Sequence, residues 1–147
     1  MTTFKINPCA NSNAGDAREW ALCDYYGIPR HKHDSKPFDE ASDIETGDIR
    51  ISVKSSKFSL MSAGRCNGKT DFDGIWNEFE ARTHSNLHAY VTLDWTVYIM
   101  DIHEFKLFVY AFCSIQRESS KNGGGAKIKC REESAKMLKW LANMAAA

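Results

Sequence analysis

The sequence predicts an α+β domain of mixed α/β character, and three observations predict it. A chain of 147 residues is long enough to bury a real core and short enough to do so as one domain, residues 1–147. Segments with helical spacing alternate along it with short runs rich in β-branched and aromatic residues. Hydrophobic residues make up 43%, aromatic residues 12% and charged residues 26%, a globular composition rather than a disordered one. No internal repeat interrupts that order.

Pro8, Pro29 and Pro37 are the only prolines and all fall in the first quarter, so much irregular chain is expected there. Between them "NAGDAREWALCDYYGI" reads as a helix. Ser12 or Asn13 is placed to cap it, Trp20, Cys23 and Tyr26 space its apolar side, and Gly27 stands where a C-cap glycine belongs. "PRHKHDSKPFDEA" is a polar loop. Two strands are expected over about 42–46 and 49–54, with a third at "KFSLMS". "AGRCNGKTD" is a second loop, with turn chemistry at Asn67-Gly68. "DFDGIWNEFEARTH" places Phe72, Ile75, Trp76 and Phe79 at i, i+3, i+4 and i+7, a helix. "HAYVTL" and "TVYIM" around Asp94-Trp95 read as a β-hairpin. "DIHEFKLFVYAFCSIQRE" has helical spacing at Phe105, Phe108, Val109 and Phe112. "SSKNGGGAKIK" is a basic, glycine-rich loop running into a short strand. "REESAKMLKWLANM" closes as a helix, with Glu132 and Glu133 expected in its first turn, where they favour the dipole.

The stretch "SDIETGDIRISVKS" carries the chemistry. A two-residue hairpin loop of type II′ wants glycine first, and Gly47-Asp48 meets that demand. Centring the turn there pairs Thr46 with Ile49, Glu45 with Arg50, Ile44 with Ile51 and Asp43 with Ser52. A Thr46-Gly47 turn would instead oppose Glu45 with Asp48, so the first register is the better match. Alternation then places Arg50, Ser52 and Lys54 on one face and Ile49, Ile51 and Val53 on the other. Asp43 is expected across from Ser52 and one step from Lys54, so a carboxylate, a hydroxyl and an ammonium converge. That set suits phosphodiester hydrolysis, where a hard cation takes carboxylate, carbonyl and water oxygens and a lysine attends the nucleophilic water.

On these residues the chain resembles the PD-(D/E)xK nucleases, the superfamily of type II restriction endonucleases, junction resolvases and related exonucleases. The family's order is a helix bearing a glutamate, an aspartate on one strand, (E/D)xK on the next, then a helix and further strands. The chain follows it over roughly residues 12–100. The resemblance implies a restriction-endonuclease-like core, a central mixed sheet flanked by helices. It implies Asp43 as the motif aspartate, Lys54 as the motif lysine and Glu19 as an auxiliary ligand. A Mg²⁺ (or Mn²⁺) ion would then be held by Asp43, Glu19 and the Val53 carbonyl, and a DNA endonuclease activity would come with it. Ser52 departs from the pattern, standing where the family has Glu or Asp. Some members recruit a carboxylate from elsewhere, for which Glu19, ahead of Glu45, is the candidate. Without recruitment the same fold would be a DNA-binding or protein-interaction module that does not cut. An unrelated α+β binding protein whose hairpin only mimics the motif is the third reading.

The rest of the sequence bounds the partners. Lys plus Arg equals Asp plus Glu at 19 each, which argues against bulk electrostatic attraction to nucleic acid but permits a basic patch. Lys57, Arg65 and Lys69 follow the hairpin, and Lys121, Lys127 and Lys129 surround the glycine run, so these six are the candidate phosphate contacts to DNA. The glycine run lacks the order of a nucleotide-binding loop. His31 and His33 with Cys23 and Cys66 have no spacing of a structural zinc site, so the two histidines read as solvated loop histidines, and His84, His88 and His103 read the same way. Five cysteines without a CxxC pair suggest reduced cytoplasmic thiols. No signal-peptide core and no membrane-length apolar segment are seen, so no membrane partner is expected. The surplus of Phe and Trp in the two middle helices is core, or serves a homodimer of the kind that cuts both strands.

Overall fold

A computed structural model of the chain describes residues 1–10, 14–30, 42–61, 67–117 and 125–147. The elements run β1 (Thr2–Lys5), α1 (Ala14–Tyr26), β2 (Ile44–Thr46), β3 (Ile49–Ser55), β4 (Phe58–Leu60), α2 (Phe72–Arg82), β5 (Leu87–Val91), β6 (Thr96–Met100), α3 (Ile102–Phe112), β7 (Cys113–Arg117), β8 (Ala126–Cys130) and α4 (Ala135–Ala146). The mixed α+β class is as expected, with a mixed sheet flanked by helices.

The strands sort into two sheets. The larger is five-stranded in the order β1-β6-β5-β3-β2, and the smaller is three-stranded in the order β4-β8-β7. In the larger sheet β3 and β5 run parallel while the other neighbours are antiparallel. A parallel pair needs a long crossover, and β4 and α2 lie within it. β5 and β6 read "HAYV" and "VYIM" with every residue buried, which a strand shows when both sheet faces are covered.

Period-two alternation divides that burial between two cores. On one face Ile44, Ile51, Ala89, Val91, Val97 and Ile99 meet Leu22 and Cys23 of α1. On the other, Tyr90, Tyr98 and Met100 meet Trp76 and Phe79 of α2, Phe105 and Phe108 of α3, and Ile128 and Cys130 of β8. The smaller sheet presses its apolar side, Phe58, Leu60, Ala126, Ile128 and Cys130, into this second core.

The helices stop where the chain supplies caps. Gly27 at φ +66° lets Ile28 N–H bond Cys23 O at 3.0 Å and its own N–H bond Asp24 O at 3.1 Å, the Schellman pattern. Asp101 and Glu104 form a capping box at the start of α3. Ser134 caps α4 by accepting from Met137 N–H at 3.1 Å.

Several elements differ from the sequence reading. β1 lies in the stretch expected to be irregular; it is a short edge strand added to β6. The helix expected through 118 ends at Phe112, because Cys113–Arg117 pairs along β8 as β7. "KFSLMS" does give a strand, but it joins the smaller sheet rather than the hairpin. Glu132 and Glu133 precede α4, and Glu133 Oε1 accepts from Leu93 N–H at 3.1 Å instead of lying in the first turn. The buried side of α1 is Ala17, Ala21, Leu22 and Cys23, while Tyr26 is exposed. The proposed caps Ser12 and Asn13 lie outside the described residues.

Candidate functional site

The hairpin adopts the Gly47-Asp48 register: Thr46 opposes Ile49, Glu45 opposes Arg50 and Ile44 opposes Ile51. Gly47 sits at φ +57°, which an L side chain adopts only with strain. The 84–86 loop ahead of β5 clamps the hairpin from the side. Asn86 Oδ1 accepts from Arg50 N–H at 2.9 Å, and Asn86 Nδ2 donates to Asp48 O at 2.8 Å. Arg50 Nε donates to His84 O at 2.6 Å. Glu45 Oε1 lies 3.2 Å from His84 Nε2, so this carboxylate faces the loop.

The β2 ladder ends at Ile44, and Asp43 is one step beyond it. Its Oδ2 accepts the backbone N–H of Val53 at 2.7 Å. Asp43 therefore does not continue the strand as a partner of Ser52; its carboxylate takes up the ladder hydrogen bond that a further strand residue would have taken. The Arg50 backbone exchanges hydrogen bonds with Asn86, on the β5 side. Along a strand these directions alternate, so Val53 points both its N–H and its carbonyl to the β2 side, where Asp43 lies.

Glu19 comes to this region from α1. It is 4% exposed and one turn before Cys23. Burial pushes the Cys23 thiol up to about 11, and the charges of Glu19, Asp24 and Asp43 add to the rise while Arg30 opposes it. Glu19 and Asp43 thus both act electrostatically on the same buried thiol, without forming a cluster with it.

Ser52 and Lys54 lie on the opposite sheet face from α1. Ile51 and Val53, which alternate with them, pack in the α1 core, whereas the register partner of Ser52 is His88. His88 stacks on Phe105 of α3 with ring centroids 4.4 Å apart and meets Phe79 of α2 at 5.8 Å. Ser52 is buried and Lys54 half-buried. Burial, helped by the Lys54 ammonium, pulls the His88 imidazole down to about 3. Asp43, Ser52 and Lys54 were expected on one face. Instead Asp43 stands at the sheet edge with Glu19 on the α1 side, and Ser52, Lys54 and His88 share the other side. His88, expected in a solvated loop, is instead fully buried on β5, because its place beside Ser52 depends on the parallel β3–β5 pairing, which no local pattern encodes.

Among the described residues no group of three or more His, Cys, Asp and Glu side chains forms a metal cluster. The oxygen donors at the edge are the Asp43 carboxylate and the Val53 carbonyl, with the buried Glu19 carboxylate on α1 as the further acid of that side. That sparse, all-oxygen set suits a hard cation that keeps several waters, as Mg²⁺ does, and not a zinc site.

The basic residues divide. Lys127 and Lys129 alternate with buried Ala126, Ile128 and Cys130, which turns both to the outer face of the smaller sheet. There Lys57 and Lys129, with Gln116, Arg131 and Glu132, line a depression of about 480 Å³. A second one of about 290 Å³ is lined by Gln116, Arg117, Lys129 and Arg131 among others. Arg117 and Arg131 were not singled out in the sequence, although strand alternation running on from Lys127 and Lys129 reaches Arg131. Lys69 is exposed ahead of α2 and is not part of that lining. Arg65 and Lys121, and with them His31, His33 and Cys66, lie outside the described residues. No helix among the described residues is long and apolar enough to cross a membrane. Compared with protein-family models, with curated proteins and with solved structures, the chain finds no match.

Proposed function

We propose that the chain is a divalent-metal-dependent DNA endonuclease built on a restriction-endonuclease-like core. The observation that carries this reading is the position of Asp43: its carboxylate is anchored on Val53 N–H at 2.7 Å, on the side to which the Val53 carbonyl also opens. Asp43, Glu19 and the Val53 carbonyl would hold Mg²⁺ or Mn²⁺. Such an ion supplies a coordinated water of lowered pKa and neutralises charge developing on a phosphate. The residues of the chain do the rest. Val53 N–H fixes the Asp43 carboxylate, so little reorientation is needed on binding. Lys54, next along β3 but on the other sheet face, would have to bring its ammonium round the sheet edge to stabilise charge on the phosphate. The outer face with Lys57, Lys127, Lys129 and Arg131 gives a neutral chain a local positive surface for a DNA backbone. Lys57 is three residues past Lys54, which limits their Cα separation to roughly 10 Å. Assembly as a homodimer in the cytoplasm belongs to the same proposal, since cutting both strands takes two such sites.

The test is Mg²⁺-dependent cleavage of duplex DNA by the native chain, Asp43→Ala and Lys54→Ala. Loss of cleavage in both variants is expected, and cleavage unchanged by either would reject the site. One observation favours a second reading, a DNA-binding module that does not cut. Ser52 stands at the motif carboxylate position, is buried, and adjoins an imidazole kept neutral. Retention of duplex DNA without cleavage in Mg²⁺ or Mn²⁺ would establish that reading instead.

A further inference from the structure

Cys113 opens β7, Cys130 closes β8, and the two are direct partners in the antiparallel ladder. Directly opposed residues in such a ladder have Cα atoms about 4.5 or 5.5 Å apart, and both separations fall inside the roughly 4.4–6.8 Å range of disulfides. Side chains of opposed residues leave the sheet on the same face. Here that is the core face, where Cys130 is fully buried and Cys113 is half-buried against the core cluster that Cys130 belongs to. Both are free thiols.

We propose that Cys113 and Cys130 form a reversible cross-strand disulfide, an oxidation site for hydrogen peroxide that a dithiol reductant reopens. Cys113, the more exposed of the two, meets the oxidant. Its sulfur takes one peroxide oxygen as the O–O bond breaks, giving a sulfenic acid and one water. The Cys130 sulfur then displaces the hydroxyl: the S–S bond forms, the S–O bond breaks, and a second water leaves with the remaining thiol proton. Two electrons pass from the sulfur pair to the peroxide, and two thiols plus peroxide become one disulfide plus two waters.

The surroundings set the rate and the consequence. The hydrogen bond between the two sulfurs, then burial, pushes the Cys113 thiol well above the ordinary thiol range, while the same hydrogen bond lowers Cys130. Cys113, the thiol that meets the oxidant, is therefore a slow reactant near neutral pH and a faster one in alkali, since the thiolate is the nucleophile. Cys113 is also the C-cap of α3, so the bond ties the end of that helix to the end of β8, next to Lys129 and Arg131 of the basic face. It closes the 113–130 segment into a loop, which restricts the unfolded chain.

The experiment is peroxide treatment of the intact folded protein, alkylation of remaining thiols, digestion without reduction, and mass spectrometry. A cross-linked peptide pair containing Cys113 and Cys130, lighter by two hydrogens and lost on dithiothreitol treatment, is expected. The melting temperature should rise on oxidation by an amount on the order of 10 °C and fall back on reduction. Cys113→Ser should show neither the cross-link nor the shift; a shift that persists in it would overturn the assignment. The wild-type peptide map decides even if that variant does not fold. Cys113 and Cys130 recovered separately alkylated or separately oxidised, or bridged only after unfolding, would also overturn it.

Discussion

His88 has no exposed surface, and among the described residues neither of its ring nitrogens finds a hydrogen-bond partner. A proton taken up there would place a buried charge against Phe79 and Phe105, opposed by the Lys54 ammonium and only weakly favoured by Asp101. The folded-state pKa of about 3 lies below the ordinary 6.5, so between those values the unfolded chain binds the proton and the folded one does not. Stability from this group is complete above pH 6.5 and is lost as the pH falls towards 3. The slope is about 1.4 kcal/mol per pH unit, so acidification from 7.5 to 5 costs about 2 kcal/mol through His88 alone. Urea melts read this directly: for a chain of this size the midpoint should drop by about 1 M. Asp24 and Asp94, whose carboxyls are held below their ordinary range by hydrogen bonds from Arg30 and Thr92, make their contribution above 3.8 and lose it only at lower pH, outside this window. His88→Phe keeps an aromatic ring in the stack and removes the titration. Its midpoint should fall about 1 M less than that of the native chain over the same pH range. An acid loss as large in the variant as in the native chain would refute the reasoning.

Asp43→Asn keeps an oxygen to accept the Val53 N–H and loses only the charge. Its stability should stay within about 1 kcal/mol of native by thermal melt, while Asp43→Ala loses about 1–2 kcal/mol. DNA cleavage should fall at least about 100-fold in both, and a fall that followed stability rather than charge would mean a structural role only. A Cβ at Gly47 meets nothing within 4 Å, so Gly47→Ala carries only the cost of φ +57°, about 1 kcal/mol in a urea melt. A larger loss would mean that the turn depends on contacts as well as on conformation. Lys129→Glu should weaken duplex DNA binding and lower the slope of log affinity against log salt by about 1. An unchanged slope would place the DNA elsewhere.

Local pattern carried much of the fold, and its failures have a common cause. Helices α2 and α4 and the β5–β6 hairpin were legible because their side-chain periodicity matches the face they bury. The hairpin register at Gly47 followed from turn chemistry and the Ile44–Ile51 match, both local. β1 and β7 were not legible. "TTFK" is too short to show alternation against its surroundings, and "CSIQR" follows directly on a strongly helical run. What makes each a strand is a distant partner, β6 for one and β8 for the other. Trp20 misled for a related reason: it reads as a core aromatic, yet it serves as the platform for Arg30, 5.0 Å from the ring centre.

The same distinction explains the site. Sequence alternation correctly put Ser52 and Lys54 on one face, but it could not say which core that face meets. Because β5 joins β3 in parallel, that face is roofed by α2 and α3, and the partner of Ser52 is a histidine held neutral at physiological pH. A glutamate or aspartate at position 52 would bring a carboxylate into this buried face beside an imidazole that resists protonation, with only Lys54 to balance it. Serine is small, neutral and able to share a hydrogen bond, so it is compatible with burial there in a way an acid is not. Of the carboxylates that remain, Asp43 stands at the end of the β2 ladder with a backbone N–H to hold it, while Glu19 is itself buried on α1. Ser52 and His88 therefore read as one coupled choice. Restoring an acid with Ser52→Glu should destabilise the fold unless His88 is charged to meet it, and its stability should then recover as the pH is lowered, opposite in sign to the native chain.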